Sequence, residues 1–162
     1  MSSRNGMLVA VLGPFVLATR ECAMQMLANA QYVLGELPNV KVSQGLRTQT
    51  REACDALVGS KHDLITELFD LTDLVATDAS DEQIGERVER IKQWAREDIA
   101  KLVDVVTALE EESKQDPGVE LTHLLLMEST GNILQAYQPM HTAADTVLRA
   151  VRGVPLSGGS PS

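Results

Sequence analysis

Apolar residues recur at threes and fours along nearly the whole chain, and the phase restarts four times. The first run predicts a helix over Gly6 to Leu37, with Val9, Leu12, Val16, Ala23, Leu27, Ala30, Leu34 and Leu37 on its buried side. Pro38-Asn39 ends it. The second stripe is Leu46, Ala53, Leu57, Leu64, Leu68, Leu71 and Val75, and it follows Ser43, a residue type suited to cap a first turn. Arg51 and Asp55 stand at i,i+4 on its outer side. The segment 76–79, Ala-Thr-Asp-Ala, then breaks the period.

The third start is the clearest. Ser80-Asp81-Glu82-Gln83 reads as a capping box, with the Ser80 hydroxyl serving the amide of residue 83 and Gln83 reaching back. Asp81 and Glu82 suit the positive end of the helix dipole. Ile84, Val88, Ile91, Ala95, Ile99, Leu102, Val106 and Leu109 form the stripe, and Glu86/Arg90 and Glu97/Lys101 are placed to pair on the outer face. Glu110, Glu111 and Glu112 sit at the wrong end for the dipole, which predicts fraying there. Asp116-Pro117 opens the fourth run, Asp as cap and Pro at the first helical position. Its stripe is His123, Leu126, Ile133, Tyr137, Met140, Ala144, Val147 and Val151, closed by Gly153.

Each run is about 33 residues, or about 50 Å of helix at 1.5 Å per residue. Short breaks between helices of equal length make antiparallel neighbours. The pattern predicts an all-α, antiparallel up-down four-helix bundle over residues 1–153, with a flexible Gly/Ser/Pro tail at 154–162. A helix pair that completes its core by dimerising is the main rival. Pro14 and Pro139 fall inside the first and fourth runs. Each either kinks one long helix or divides it in two, and the unbroken phase through Pro139 favours the kink. The segments 6–18 and 131–143 share Gly, an aliphatic residue, Pro, a bulky apolar residue and Ala at the same spacing, as a repeat of one bundle element would.

Composition narrows the function. The chain has 162 residues, 14 basic and 23 acidic, a net charge of −9 that argues against a nucleic-acid partner or a polybasic membrane surface. Phe, Trp and Tyr together make up 3%, so the core is aliphatic. Cys22 and Cys54 belong to no Cys/His cluster, which points to two buried free thiols in a reducing, cytoplasmic setting. The apolar run 7–18 is too short for a transmembrane segment, and Arg20-Glu21 follow it directly.

Few residues suggest chemistry. Glu120-Leu-Thr-His123 is an ExxH, but a di-iron bundle needs two such motifs and two further glutamates, and His62 and His141 complete neither. Glu52-Ala-Cys-Asp55 and Glu67-Leu-Phe-Asp70 are ExxD motifs. The segment 66–75 looks like the metal-binding helix of all-α nucleoside triphosphate pyrophosphatases. That resemblance implies Mg²⁺ on Glu67 and Asp70, with Glu52 and Asp55 standing in for an upstream glutamate pair. Here that pair falls on the same helix. His62 and Asp63 are adjacent, so on a helix they diverge. There is no nucleophile elbow and no phosphate-binding glycine loop. No catalytic residue, cofactor site or metal site is assigned. The methionines at 7, 24, 26, 127 and 140 read as core filling or as a malleable groove for a partner helix. Trp94 flanks its stripe.

The segments 131–145 and 14–23 resemble bundle helices of the vinculin and α-catenin superfamily, in which an aliphatic run, a mid-helix Pro and a small-residue stretch follow one another. Aromatic-poor, Ala/Leu/Thr-rich bundles are also similar to talin rod modules. The resemblance implies a non-enzymatic adhesion or cytoskeletal scaffold that recognises an amphipathic helix of a protein partner. The alternatives are the Mg²⁺-dependent pyrophosphatase and a dimeric sensor or regulator bundle, which would leave a self-complementary apolar face once its own core is filled.

Overall fold

A computed structural model describes residues 3–153, without the side chains of residues 3–7 and Lys61; the expected tail at 154–162 lies outside the described residues. Each periodic run becomes one helix. The helices are α1 (Ser3–Glu36), α2 (Gln44–Ala76), α3 (Asp81–Gln115) and α4 (Glu120–Val151). Single 3-10 turns, Leu37–Asn39 and Pro117–Val119, lead out of α1 and into α4. The helices pack in a ring, α1 on α2, α2 on α3, α3 on α4 and α4 on α1. Cross-helix pairs run in opposite register, as Ser60–Asp98 and Glu67–Arg87 do, so the bundle is antiparallel.

The caps fall where the residue types put them. Ser43 accepts from the Leu46 amide, and Ser80 and Gln83 form the reciprocal capping box. Asp116 caps the 3-10 turn, accepting from Gly118, and α4 itself starts at Glu120. α2 stops because Asp78 takes a left-handed conformation, φ 56°. The Asp78 amide then reaches the Val75 carbonyl and the Ala79 amide the Leu74 carbonyl, a Schellman close in which Asp replaces the usual glycine.

Both prolines lie inside unbroken helices, Pro14 in α1 and Pro139 in α4, so neither divides its run. Both face solvent, where the carbonyl four residues back is open to water. Pro14→Ala restores a donor to the Ala10 carbonyl. The variant is expected to be more stable by roughly 1–3 kcal/mol, read as a higher thermal midpoint; an unchanged or lower midpoint would show that α1 needs its proline.

α3 does not fray at Glu110–Glu112. It continues to Gln115, because the turn after α1 lies against its end: the Ser43 amide donates to Glu112 Oε2 at 3.2 Å and Lys41 pairs with Asp116 at 3.0 Å. The Thr122 hydroxyl donates to the Lys41 carbonyl, and Arg47 donates to the carbonyls of Leu37 and Val40. These bonds join both loops at one end of the bundle.

The stripes need correction by one position in places. In α1, Val9 is exposed, and Leu8, Phe15, Cys22 and Val33 take the inner positions beside Leu12, Ala23 and Ala30, with Leu37 of the following turn also buried. In α3, Val105 is buried and Val106 only partly so. In α4, Thr122 turns inward where His123 was expected. The strict 4,3 alternation explains all three: 8, 12, 15, 19, 22, 26 in α1 and 91, 95, 98, 102, 105, 109 in α3 are heptad positions, and drift of one residue rotates a side chain by about 100°.

Candidate functional site

Two seams of the bundle carry polar side chains paired across helices, while Thr130 Oγ1, Tyr137 OH and His141 Nδ1 are buried without a hydrogen-bond partner. In the α2–α3 seam the Ser60 hydroxyl donates to Asp98 Oδ2, and Lys101 Nζ lies 3.5 Å from the other carboxylate oxygen. Asp98 is buried, its side chain only 5% exposed, on a heptad core position. The uninterrupted 4,3 count through α3 points at it. An aspartate at a core position is the signal that a search for apolar residues passes over.

Further along the same seam Arg87 reaches Glu67 at 2.5 Å and Asp70 at 3.4 Å, and Arg90 stands 3.8 Å from Glu67. The Glu67 and Asp70 carboxylates therefore face arginines of α3, not a second carboxylate pair. Glu52 and Asp55 lie on α2 as well, so the two motifs do not oppose each other across the bundle. The intrahelical pairs expected on α3 give way to other partners. Arg90 turns to Glu67, Lys101 to Asp98, and Glu97 accepts from Gln93.

The α3–α4 seam holds the other polar run. Lys92 pairs with Asp145 at 3.0 Å, and His141 Nε2 lies 3.5 Å from the same carboxylate. The Tyr137 and His141 rings are 5.8 Å apart between centroids. Burial opposes ionisation of Asp145, but the hydrogen bond and charge of Lys92, with His141 and Arg149, outweigh it and hold the carboxyl below its usual range. A carboxyl held low in the folded state stabilises above its unfolded pKa, and that contribution is lost as pH falls through the lowered value. In Lys92→Met, acid unfolding followed by circular dichroism is expected to begin at a higher pH than in the wild type; coincident acid transitions would show the pair contributes nothing.

The remaining sequence candidates do not converge. Glu120 is exposed and His123 half-buried. His62 and Asp63 are exposed on α2. Among the described residues, no three of His, Cys, Asp and Glu are grouped as a metal would require. Both cysteines are free and buried, and burial pushes each thiol up to about 12, with Asp55 adding to the effect at Cys54. They stay protonated and unreactive near neutrality. Met26 and Met140 fill the core, whereas Met24 and Met127 are exposed; the side chain of Met7 is outside the described residues. Trp94 is partly buried against the core.

The surface is uneven. α3 carries 16 charged residues in 35 positions, whereas α1 carries four in 34 (Arg4, Arg20, Glu21, Glu36) and α4 four in 32 (Glu120, Glu128, Asp145, Arg149). On these two charge-poor neighbours large apolar side chains stand in solvent: Leu17 is 64% exposed, Met24 57% and Leu121 71%. Between them runs an open groove of about 490 Å³, lined by Leu17, Ala18, Glu21, Gln25, Asn132, Gln135, Ala136 and Pro139. A smaller apolar pair, Ile65 and Phe69, stands out from α2. The stretch Leu8–Asn39 is long and apolar enough, by length and composition, to cross a membrane, although the twelve-residue run 7–18 that overlaps its start is not; a third of its most apolar window is buried inside the bundle.

Comparison with known proteins gives no match, whether with family models, curated proteins or solved structures. The class that fold and surface define is an acidic, all-α four-helix bundle with cross-helix ion pairs in two of its seams and an α1–α4 side that carries few charges.

Proposed function

We propose that this protein is a non-catalytic interaction module that binds a protein partner, an amphipathic helix, on its α1–α4 face. One observation carries the reading. The bundle core is already filled, yet Leu17, Met24, Leu121 and Leu124 remain in solvent on two adjacent helices with few charges. Apolar surface of this kind is a usual mark of a docking site. An open groove between two helices that also carry exposed leucines and methionines suits a helix laid along it. The likeness of segments 131–145 and 14–23 to vinculin and α-catenin bundle helices agrees with a scaffold of the adhesion or cytoskeletal type. Two protonated, unpaired thiols agree with a cytoplasmic setting.

No observation favours the pyrophosphatase reading, because Arg87 and Arg90 already neutralise the carboxylates that would take Mg²⁺. The test is a pair of assays. The immobilised wild type is expected to retain a helical protein partner that a Leu17→Glu/Leu124→Glu variant of equal helicity does not. Nucleoside triphosphates with Mg²⁺ are expected to stay intact. Turnover that disappears in Glu67→Gln would overturn the proposal.

A further inference from the structure

The α1–α4 face, on the reading above, meets a protein, and we infer that this protein is a second copy of the same chain, docked α1 against α1 about a two-fold axis. α1 carries a second heptad stripe opposite its core stripe: Ala10, Pro14, Leu17, Glu21, Met24 and Ala28, at intervals of 4, 3, 4, 3 and 4. All six are exposed or nearly so in the bundle. A helix with apolar stripes on two opposite sides is one built to be packed on both.

Charge selects the occupant. The net charge of −9 divides as 2 − 2 = 0 on α1, 3 − 6 = −3 on α2, 6 − 10 = −4 on α3 and 1 − 3 = −2 on α4, the connecting segments and Arg152 summing to zero. A basic partner is drawn to α2 and α3. A second acidic copy is repelled there, and α1 is the one helix where like charges do not meet. Apolar and neutral, the α1 ridge suits a copy of itself.

The ridge is also self-complementary. A two-fold contact needs residue i to meet j and j to meet i. About a point between Arg20 and Glu21, an antiparallel copy brings Leu17 onto Met24, Arg20 onto Glu21 and Gly13 onto Ala28, each twice. Bulky residues meet bulky ones, opposite charges meet, and small residues let the backbones approach. Gly13 has nothing within 4 Å of where a Cβ would stand. Within one chain this glycine only weakens the helix, by about 1 kcal/mol relative to alanine. The contact over residues 10–31 is ~32 Å long, small for an interface, which predicts a dimer that dissociates on dilution.

Sedimentation equilibrium over a hundredfold concentration range tests this. The wild type is expected to rise from 17.6 kDa towards twice that mass. Leu17→Glu/Met24→Glu is expected to stay at the single-chain mass with unchanged helicity. Arg20→Glu, which sets acid against acid, is expected to weaken association about tenfold or more, and Arg20→Glu/Glu21→Arg to restore it. A wild type monomeric throughout overturns the inference. So does a dimer indifferent to both sets of variants, or a wild type that binds phosphatidylcholine vesicles instead of itself. A monomer that still retains a helical partner in the capture assay overturns only the choice of a second copy and leaves the interaction module standing.

Discussion

Leu102→Asp unfolds the bundle. Leu102 is 2% exposed on the inner face of α3, among the apolar side chains of the shared core. The substitution acts twice. It removes the isobutyl group, a loss that costs roughly 2–5 kcal/mol when a buried leucine is truncated to alanine. It also leaves a carboxylate without a partner in an aliphatic core, which adds several kcal/mol more. Domains of this size are stable by only about 5–15 kcal/mol. Far-UV circular dichroism is therefore expected to show loss of helix at 25 °C, and Leu102→Ala is expected to stay folded with a lower urea midpoint. Leu68→Asp, in the same core on α2, acts in the same direction. A Leu102→Asp protein with wild-type stability would mean that α3 turns another face inward.

The second largest effect is expected at the buried carboxylate of the α2–α3 seam. In Ser60→Ala, Asp98 Oδ2 loses its hydroxyl donor and keeps only Lys101, 3.5 Å from the other oxygen and itself 57% exposed. An unsatisfied buried acceptor costs about 1–3 kcal/mol. For a chain of this length that lowers the melting temperature by roughly 2–4 °C per kcal/mol. Ser60→Ala/Asp98→Leu removes donor and acceptor together and places an aliphatic side chain on a heptad core position. The double variant is expected to melt at or above the wild type, because a buried polar pair often contributes no more than a packed apolar one. Additive losses in the double variant would instead show that the pair holds the α2–α3 register in a way packing does not replace.

The same two positions show how far the sequence carries. Leu102 follows from periodicity alone, since three of its four neighbours at three and four (Ile99, Val105 and Val106) are apolar. Asp98 stands at an equally regular position, but its residue type argues for the surface. Its burial depends on a serine 38 positions away, which the apolar stripe of α2 does not announce. The ExxD motif shows the reverse case. Glu67 and Asp70 share a face by spacing, and spacing also suits a metal. Only the packing of α3 supplies Arg87, which takes both carboxylates. In α1 the expected inner stripe takes in Val9, which is exposed, and passes over Leu8 and Phe15, which are buried, because a stripe one residue off differs by about 100° in direction and the stripes look alike in a helix with few charges.

What the sequence determined by itself was the class and the ends: four long helices, their capping residues Ser43, Ser80 and Asp116, short connections that force antiparallel neighbours, and an aliphatic core. Local rules decide these, because capping and periodicity act within a turn or two of chain. The tertiary structure alone decided which helix stands beside which, the pairing of Lys92 with Asp145 and Ser60 with Asp98, and which apolar stripe of α1 is left outside. Those depend on the rotation of each helix about its axis. That rotation is set by packing against two neighbours at once, a condition that no single helix carries in its own residues.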